Sequence, residues 1–283
     1  MGSNCVFRFT LLVISHWFIH SGRLGEVSTL PKTSQDATTI QREYYTETAS
    51  RYDTMHANES AGDAPTNRFI LSMLQLAGVK SFLDVGSATG RGLADFAADL
   101  PGALVCGVEP VAALLKQAVD AGVLRSAALV RGSGESLPFA NASFDAVCEI
   151  SILHHVPDPS IVVSEMLRVA RKLVVIVDCN RFGQGSLAAR WFKLFLYKSG
   201  LWGVFNYVRT TGKRYQISEG DGLFYSYSVY DSYELVSEWA ERVILVPIGG
   251  AKSNSWLHPL LTSEALLLIG FRKGQFIETA ERK

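Results

Sequence analysis

The sequence predicts an α/β fold organised around a doubly wound, mostly parallel sheet, and three observations lead there. From residue 81 onward, short apolar runs alternate with segments of helical periodicity, the rhythm of strand–helix–strand units. The run at 173–177 is apolar throughout, as suits a parallel strand covered on both faces. Successive strand ends carry polar groups, namely Asp84, Glu109, the loop Ser133-Gly134-Glu135 and the stretch from Glu149 to His155. Ligands of such sheets bind beyond the carboxyl ends of the strands, so four polar ends on one edge would form a single site.

Seven strands are expected, at 81–85, 103–108, 127–131, 144–150, 173–177, 243–247 and 264–271. Helices fill 92–100, 111–121 and 160–169 between them. Pro101-Gly102 breaks the first helix; Pro110 suits the opening turn of the second and Gly122 its end. Ahead of the sheet, a helix begins at Gln41 and carries Tyr44, Tyr45, Thr48 and Tyr52, and a second covers 67–76. Core packing accounts for most of those aromatics. After Asp178 the rhythm changes to a helix at 186–199, a loop-rich aromatic stretch at 200–230 and a helix at 232–241.

The expected organisation is a leader and linker at 1–40 and one domain at 41–283, with a lid insert at about 181–230. The apolar run at 7–19 has the length of a signal-peptide core and is short for a membrane span. An export signal, a membrane-proximal anchor and an upstream extension of the reading frame all fit it. The last two are favoured jointly, because the rest of the chain looks cytosolic. Residues 28–40 read as linker.

Composition narrows the class. The chain has 283 residues, 48% of them apolar, enough for a substantial core. Lys+Arg and Asp+Glu are equal at 27 each, so no global charge steers it towards nucleic acid. Cys5, Cys106, Cys148 and Cys179 form no C-x-x-C pair and no zinc spacing. Three of them lie in apolar runs and read as buried thiols of a reducing compartment. No residue pattern calls for a metal.

The chemistry begins where the first strand ends in Asp84 and Gly86-Ser87-Ala88-Thr89-Gly90 turn the chain into a helix. Small residues there let a ligand reach main-chain N–H groups at a helix N-terminus. A P-loop is excluded by the missing Gly-Lys-Ser/Thr ending, and the spacing is not Gly-x-Gly-x-x-Gly, which counts against a nicotinamide dehydrogenase. Glu109, at the end of the second strand, is placed to accept hydrogen bonds from both hydroxyls of a ribose.

Taken together, Asp84-Val85-Gly86-Ser87-Ala88-Thr89-Gly90, Val108-Glu109-Pro110, Glu135-Ser136-Leu137-Pro138-Phe139, Ser143-Phe144-Asp145-Ala146-Val147 and Leu153-His154-His155-Val156-Pro157-Asp158-Pro159 resemble the ordered motifs of class I S-adenosylmethionine-dependent methyltransferases. The nearest flavour is the branch with quinone-ring and sugar O-methyltransferases. The resemblance is strong over roughly residues 44–180, whereas strands six and seven carry no motif. It implies the Rossmann-like methyltransferase fold and S-adenosylmethionine as cofactor.

The resemblance also implies roles. Gly86, Ser87 and Gly90 would bring the loop backbone to the methionine part of the cofactor, with Asp84 in support. Glu109 would hold the ribose hydroxyls, Ser133, Gly134 and Glu135 would flank adenine, and the stretch from Glu149 to Ile152 would line the site near the sulfonium. Ala88 stands where the family usually has a middle glycine, and Ser133 where an aspartate commonly binds the adenine amino group. In similar sugar O-methyltransferases a paired His and an Asp act together, and the matching positions are His154, His155 and Asp178. Packing or capping by one of the histidines is the alternative. The segment Val169-Ala170-Arg171-Lys172 lacks the usual Pro-Gly-Gly, so alignment to Asp178 needs a short deletion.

Between Arg168 and Arg214 there are ten Lys/Arg and a single acid, Asp178, with aromatics interleaved. An ordinary lid helix and a peripheral membrane contact through 186–214 both fit this insert. Asp221-Gly222 with Tyr225 and Tyr227 suggests a closing loop. The expected function is methyl transfer from S-adenosylmethionine to a small-molecule or lipid-linked acceptor, with O-methylation slightly ahead of C-methylation, in the cytoplasm or at a membrane surface. A non-catalytic cofactor-binding partner subunit is the alternative, and a nicotinamide dehydrogenase a weaker one.

Overall fold

The computed structural model of the protein describes residues 34–248 and 257–274. Five parallel strands, β1 (Ser81–Val85), β2 (Leu104–Glu109), β3 (Ala128–Arg131), β4 (Phe144–Ile150) and β5 (Ala170–Cys179), form most of the main sheet. A separate hairpin of β6 (Tyr215–Ser218) and β7 (Gly222–Tyr225) follows. The chain then returns to the sheet as β8 (Ala240–Ile248) and β9 (Ala265–Arg272). The order is β3-β2-β1-β4-β5-β9-β8, with β9 antiparallel to both its neighbours. Strand order reverses between β1 and β4, and the crevice beyond their carboxyl ends is where such a sheet offers a ligand site.

Alternation along the strands explains why both faces are covered. Phe82, Val105, Ala146, Cys148 and Val175 face one side and pack with Ile70 and Leu74 of helix α3 (Ala57–Leu76) and Leu93 and Phe96 of α4 (Arg91–Asp99). Leu83, Val85, Val108, Val147 and Ile176 face the other, with Val162, Val163 and Met166 of α6 (Pro159–Val169). Strands apolar on both faces are what a parallel, doubly covered sheet requires. The α5 helix (Ala112–Asp120) links β2 to β3. Cys106, Cys148 and Cys179 are free thiols, and burial pushes all three upward, Cys106 to about 11.

Three departures from the sequence-based expectation bear on the site. Helix α1 runs Ser34–Thr48, so residues 34–40 are not linker. Ala37 and Ile40 pack against Tyr215 and Leu223 of the hairpin, a long-range contact invisible in local composition. The apolar run at 7–19, with its competing leader readings, lies outside the described residues. The stretch 200–230 is not loop-rich: it holds α8 (Trp202–Arg209) and the β6–β7 hairpin, preceded by α7 (Leu187–Lys198). Finally, α6 passes into β5 with no linker, which accommodates the missing Pro-Gly-Gly. A short α2 (Tyr52–Met55) and α9 (Tyr233–Trp239) complete the description.

Candidate functional site

A cavity opens at the carboxyl ends of β1, β2 and β4. One wall is Gly86, Ala88 and Glu109; a second is the Ser133–Gly134–Glu135 turn; the third runs from Ile150 through Ser151 and Ile152 to His155. Gln41, Arg42 and Tyr45 of α1, with Tyr52, His56 and Asp221, cover it.

The glycine turn is held from below and from the side. Gly86 has φ +79, and a Cβ there would meet Ile152 Cγ2 at 2.5 Å, so no larger residue fits without moving the cavity wall. Ala88 also adopts a left-handed φ of +47 and donates its N–H to Glu109 Oε2 at 3.1 Å. Glu109 Oε1 accepts from Val111 N–H at 2.8 Å, so one carboxylate ties the turn to the start of α5. Thr89 Oγ1 donates to Asp53 at 2.7 Å, which fixes α2 against the turn.

The next wall is shaped from a distance. Arg168 on α6 pairs with Glu165 and donates to the carbonyls of Leu137 and Phe139, while Glu165 accepts from Leu137 N–H at 2.8 Å. This cross-brace fixes the loop after Glu135 and presents Ser133–Glu135 to the cavity. Ser133 Oγ turns towards its own loop, accepting from Glu135 N–H at 3.3 Å.

On the far side, Asp178 at the end of β5 is almost fully buried and accepts four hydrogen bonds. They come from Leu153 N–H (2.9 Å), His154 N–H (3.2 Å), Cys179 N–H (2.5 Å) and His154 Nδ1 (2.8 Å). Burial alone would raise Asp178, but the His154 charge and these donors hold it below the usual carboxylate range. Burial opposes the charged form of His154 in turn. Asp178 and Asp221 outweigh that and raise it well above the ordinary histidine value. Asp221, at the hairpin turn, lies 3.5 Å from His154 Nε2 and 3.3 Å from His155 Nε2, and these contacts hold it far down despite its burial.

The hairpin is latched by α1. Gln41 Oε1 accepts from Leu223 N–H at 2.5 Å, which orients the amide so that its Nε2 donates to Asp221 O at 3.2 Å. Gly222 has φ +67, and a Cβ there would meet Gln41 Oε1 at 2.6 Å. His155 Nδ1 lies 2.7 Å from Leu223 O, a pure acceptor, and 3.0 Å from Gln41 Nε2; a proton on Nδ1 satisfies the shorter contact, and Nε2 lies 3.1 Å from the Tyr45 hydroxyl. Two groups bring ligand atoms within 4.8 Å of one another, as a cation site would: His154 with Asp178 and Cys179, and His154 with His155 and Asp221.

Comparison with known proteins gives this arrangement a family. Residues 83–177 match the family model described as a methyltransferase domain. An uncharacterised methyltransferase of Mycobacterium leprae is 34% identical over 142 residues, covering 50% of this chain and 52% of that protein. A demethylmenaquinone methyltransferase of Roseiflexus castenholzii is 30% identical over 143 residues, 50% of this chain and 60% of its own. Over residues 83–177 the chain carries a methyltransferase domain, similar to those of class I S-adenosylmethionine-dependent methyltransferases.

The fold agrees. Magnesium protoporphyrin IX methyltransferase of Synechocystis PCC 6803, solved with bound S-adenosylhomocysteine, superposes with a TM-score of 0.55 at 17% identity, over 84% of this chain and all of that one. The chain spans about half the length of the Mycobacterium leprae relative it matches.

The residues present fit the family's cofactor, S-adenosylmethionine. Burial pushes Glu109 up to about 7 against the pull of its two backbone donors; burial and the nearby Glu109 push Asp84 to about 7 as well. Among the described residues no ion pair reaches either acid. Glu109, a desolvated acid on the cavity wall with no ion pair of its own, is what the hydroxyls of a ribose would complete, while Asp84 stands behind the turn.

Of the sequence-predicted cofactor residues, Gly86, Glu109, Ser133, Gly134 and Glu135 line the cavity. Asp84, Ser87, Gly90 and Glu149 lie behind it. For Glu149 this corrects the expectation: its side chain is fully buried and accepts from Ile152 N–H and Val177 N–H, both at 3.1 Å. Its carboxylate braces the wall that Ile152 forms. His155 lines the cavity, whereas His154 and Asp178 stand behind it as a pair.

Gln41 and His56 were not expected at the site, Tyr45 and Tyr52 were among aromatics read mostly as core, and Asp221 was expected only in a closing loop. Gln41 and Tyr45, and likewise Tyr52 and His56, stand four residues apart, so a polar edge on one helical face was available as a signal. The rings meet in the cover: Tyr52 and His56 centroids are 4.3 Å apart, and Tyr45 packs edge-on against His155 at 5.8 Å. Among the described residues no helix is long and apolar enough to cross a membrane.

Proposed function

We propose that the protein transfers a methyl group from S-adenosylmethionine to an oxygen of a small-molecule or lipid-linked acceptor, with His155 as general base. The observation that carries this reading is that one cavity joins the Gly86–Glu109 wall to His155. When bound, S-adenosylmethionine supplies an electrophilic methyl group on a sulfonium. Glu109 would accept from the ribose hydroxyls through the lone pairs left over from Ala88 and Val111. Glu135 supplies, at the adenine wall, the carboxylate that Ser133 lacks.

An acceptor hydroxyl in place of the Tyr45 hydroxyl would face the lone pair of His155 Nε2. With Nδ1 protonated against Leu223 O, Nε2 would take the acceptor's proton and then hydrogen-bond to Asp221 Oδ1, 3.3 Å away. His154 is a positioning residue in this reading: charged, and gripped by Asp178, it holds Asp221 beside His155.

The test is incubation with labelled S-adenosylmethionine and a fractionated small-molecule extract, followed by mass identification of the product. The reading expects an O-methyl product and a loss of about 10²-fold or more in turnover for His155→Ala. A carbon-methylated product, or full turnover in His155→Ala, would sink the base assignment. Binding of S-adenosylhomocysteine with no labelled product from any fraction would favour a non-catalytic partner subunit.

A further inference from the structure

We infer that the α7–α8 hairpin docks the protein on an anionic lipid surface, a property independent of which acceptor is methylated. Of the sixteen large apolar side chains exposed among the described residues, nine lie within 187–208. On α7, Leu187, Trp191 and Phe195 recur every four residues and so form one stripe, and they are 63%, 46% and 63% exposed. On α8, Val204 and Val208 repeat the spacing at 64% and 70%, with Leu201 just before the helix.

These side chains are not loose ends of a poorly packed segment. Leu196 and Asn206 are buried on the inner faces of the two helices. Phe192 packs edge-on against Phe205 at 5.5 Å, and Trp202 lies 5.6 Å from Phe205, so the two helices form one unit. Lys193 and Arg190 are committed inward, donating to the carbonyls of Arg181 and Leu261 at 2.8 Å each. The outward stripe is therefore a fixed apolar face.

Charge selects the occupant. From Cys179 to Ser218 there is no Asp or Glu, while Arg181, Arg190, Lys193, Lys198, Arg209, Lys213 and Arg214 are present. Lys198, Arg209, Lys213 and Arg214 form no ion pair with a carboxylate among the described residues, and Arg214 lies over the Tyr207 ring at 5.8 Å. Apolar and aromatic side chains in a segment whose cations lack carboxylate partners match an interface of acyl chains beneath anionic headgroups. A second copy of the chain fits less well, since a two-fold contact would set like charges against each other. The hairpin borders a cleft lined by Trp202, Asn206, Arg214 and Tyr225 that shares Pro157 with the main cavity, so its inner side lies beside the site.

The test is flotation of the full chain with vesicles of phosphatidylglycerol and phosphatidylcholine in equal parts, at low and high salt, beside pure phosphatidylcholine. The inference expects co-flotation with the anionic vesicles at low salt and weaker binding at high salt. Leu187→Ser/Phe195→Ser/Val204→Ser should reduce partitioning by about tenfold or more, since each replaced side chain leaves water on docking. Lys198→Glu/Lys213→Glu should reduce it by about fivefold or more per cation. Both variants should keep the parent's thermal shift with S-adenosylhomocysteine, which separates lost docking from lost folding. Absence of vesicle binding by the parent overturns the inference. So does full retention in the triple variant, because the contact would then lie elsewhere in the chain. A parent dimer in light scattering that the triple variant turns into a monomer, without vesicle binding by either, assigns the face to self-association instead.

Discussion

Replacing Glu109 with Gln separates affinity from stability in a way that follows from the two faces of one carboxylate. Its oxygens accept from Ala88 and Val111 N–H groups, and a Gln amide can accept only one of them. The other buried donor then faces an NH₂, at a cost of about 1–3 kcal/mol. Loss of the charge weakens each ribose hydrogen bond by about 1 kcal/mol, so two hydroxyls give about 2 kcal/mol, or roughly 30-fold in Kd.

Stability of the ligand-free protein moves differently. Burial pushes Glu109 up to about 7, so the folded state holds its proton more tightly than the unfolded chain does. The penalty for an ionised Glu109 is absent below about pH 4.5, grows as pH rises and is complete above about 7, where it amounts to roughly 3 kcal/mol. Gln carries no such penalty. Glu109→Gln should therefore destabilise the protein by about 1–3 kcal/mol near pH 5, and by much less at pH 8, where the relieved charge offsets the lost hydrogen bond. The assays are calorimetric titration with S-adenosylmethionine at pH 8 and urea unfolding at both pH values. A Kd within about threefold of the parent, or a larger stability loss at pH 8 than at pH 5, would refute the reasoning.

Other perturbations have equally definite outcomes. Gly86→Ala forces a side chain into φ +79 and against Ile152, so it should abolish measurable cofactor binding and cost at least about 1–2 kcal/mol in stability. Unchanged binding in calorimetry would contradict the described turn. Asp178→Asn strips the charge facing His154 from a site with four donors, and urea unfolding should show a loss of about 3–5 kcal/mol; a loss below about 1 would mean the pair is not formed. Glu109 stands near 7 and lines the cavity, so a ligand that engages its ionised form must release protons on binding near that pH. Affinity should fall as pH drops from 8 to 6, and titration heats in buffers of different ionisation enthalpy should report protons released. Proton uptake would reverse the assignment.

The sheet and the cofactor wall were legible because their signals are local. Asp84, Gly86 and Glu109 sit at strand ends, where a few neighbouring residues determine both the turn and its chemistry. What was not legible depends on contacts far apart in sequence. Gln41 meets Leu223 and His155 across more than a hundred residues, so no window in the chain marks it as a latch. Residues 34–40 read as linker because Ser, Thr and Gln dominate them, and their helix gains a packed face only when the hairpin arrives. Asp221 stood out only as part of a closing loop with Gly222, Tyr225 and Tyr227, and its place against two histidines follows from that same docking. Glu149 misled for the opposite reason. A polar residue at a strand end resembles a site residue, but its carboxylate satisfies two backbone donors inside the wall.

In the proposed function one cavity receives the cofactor between Glu109 and the His155 wall. Hydrogen exchange of the full chain with and without saturating S-adenosylhomocysteine tests this directly, because it reports where binding slows amide exchange. The predicted result is protection concentrated at 86–90, 109–111, 133–135 and 150–156. Saturable binding with protection confined to other segments, or no saturable binding, would contradict it.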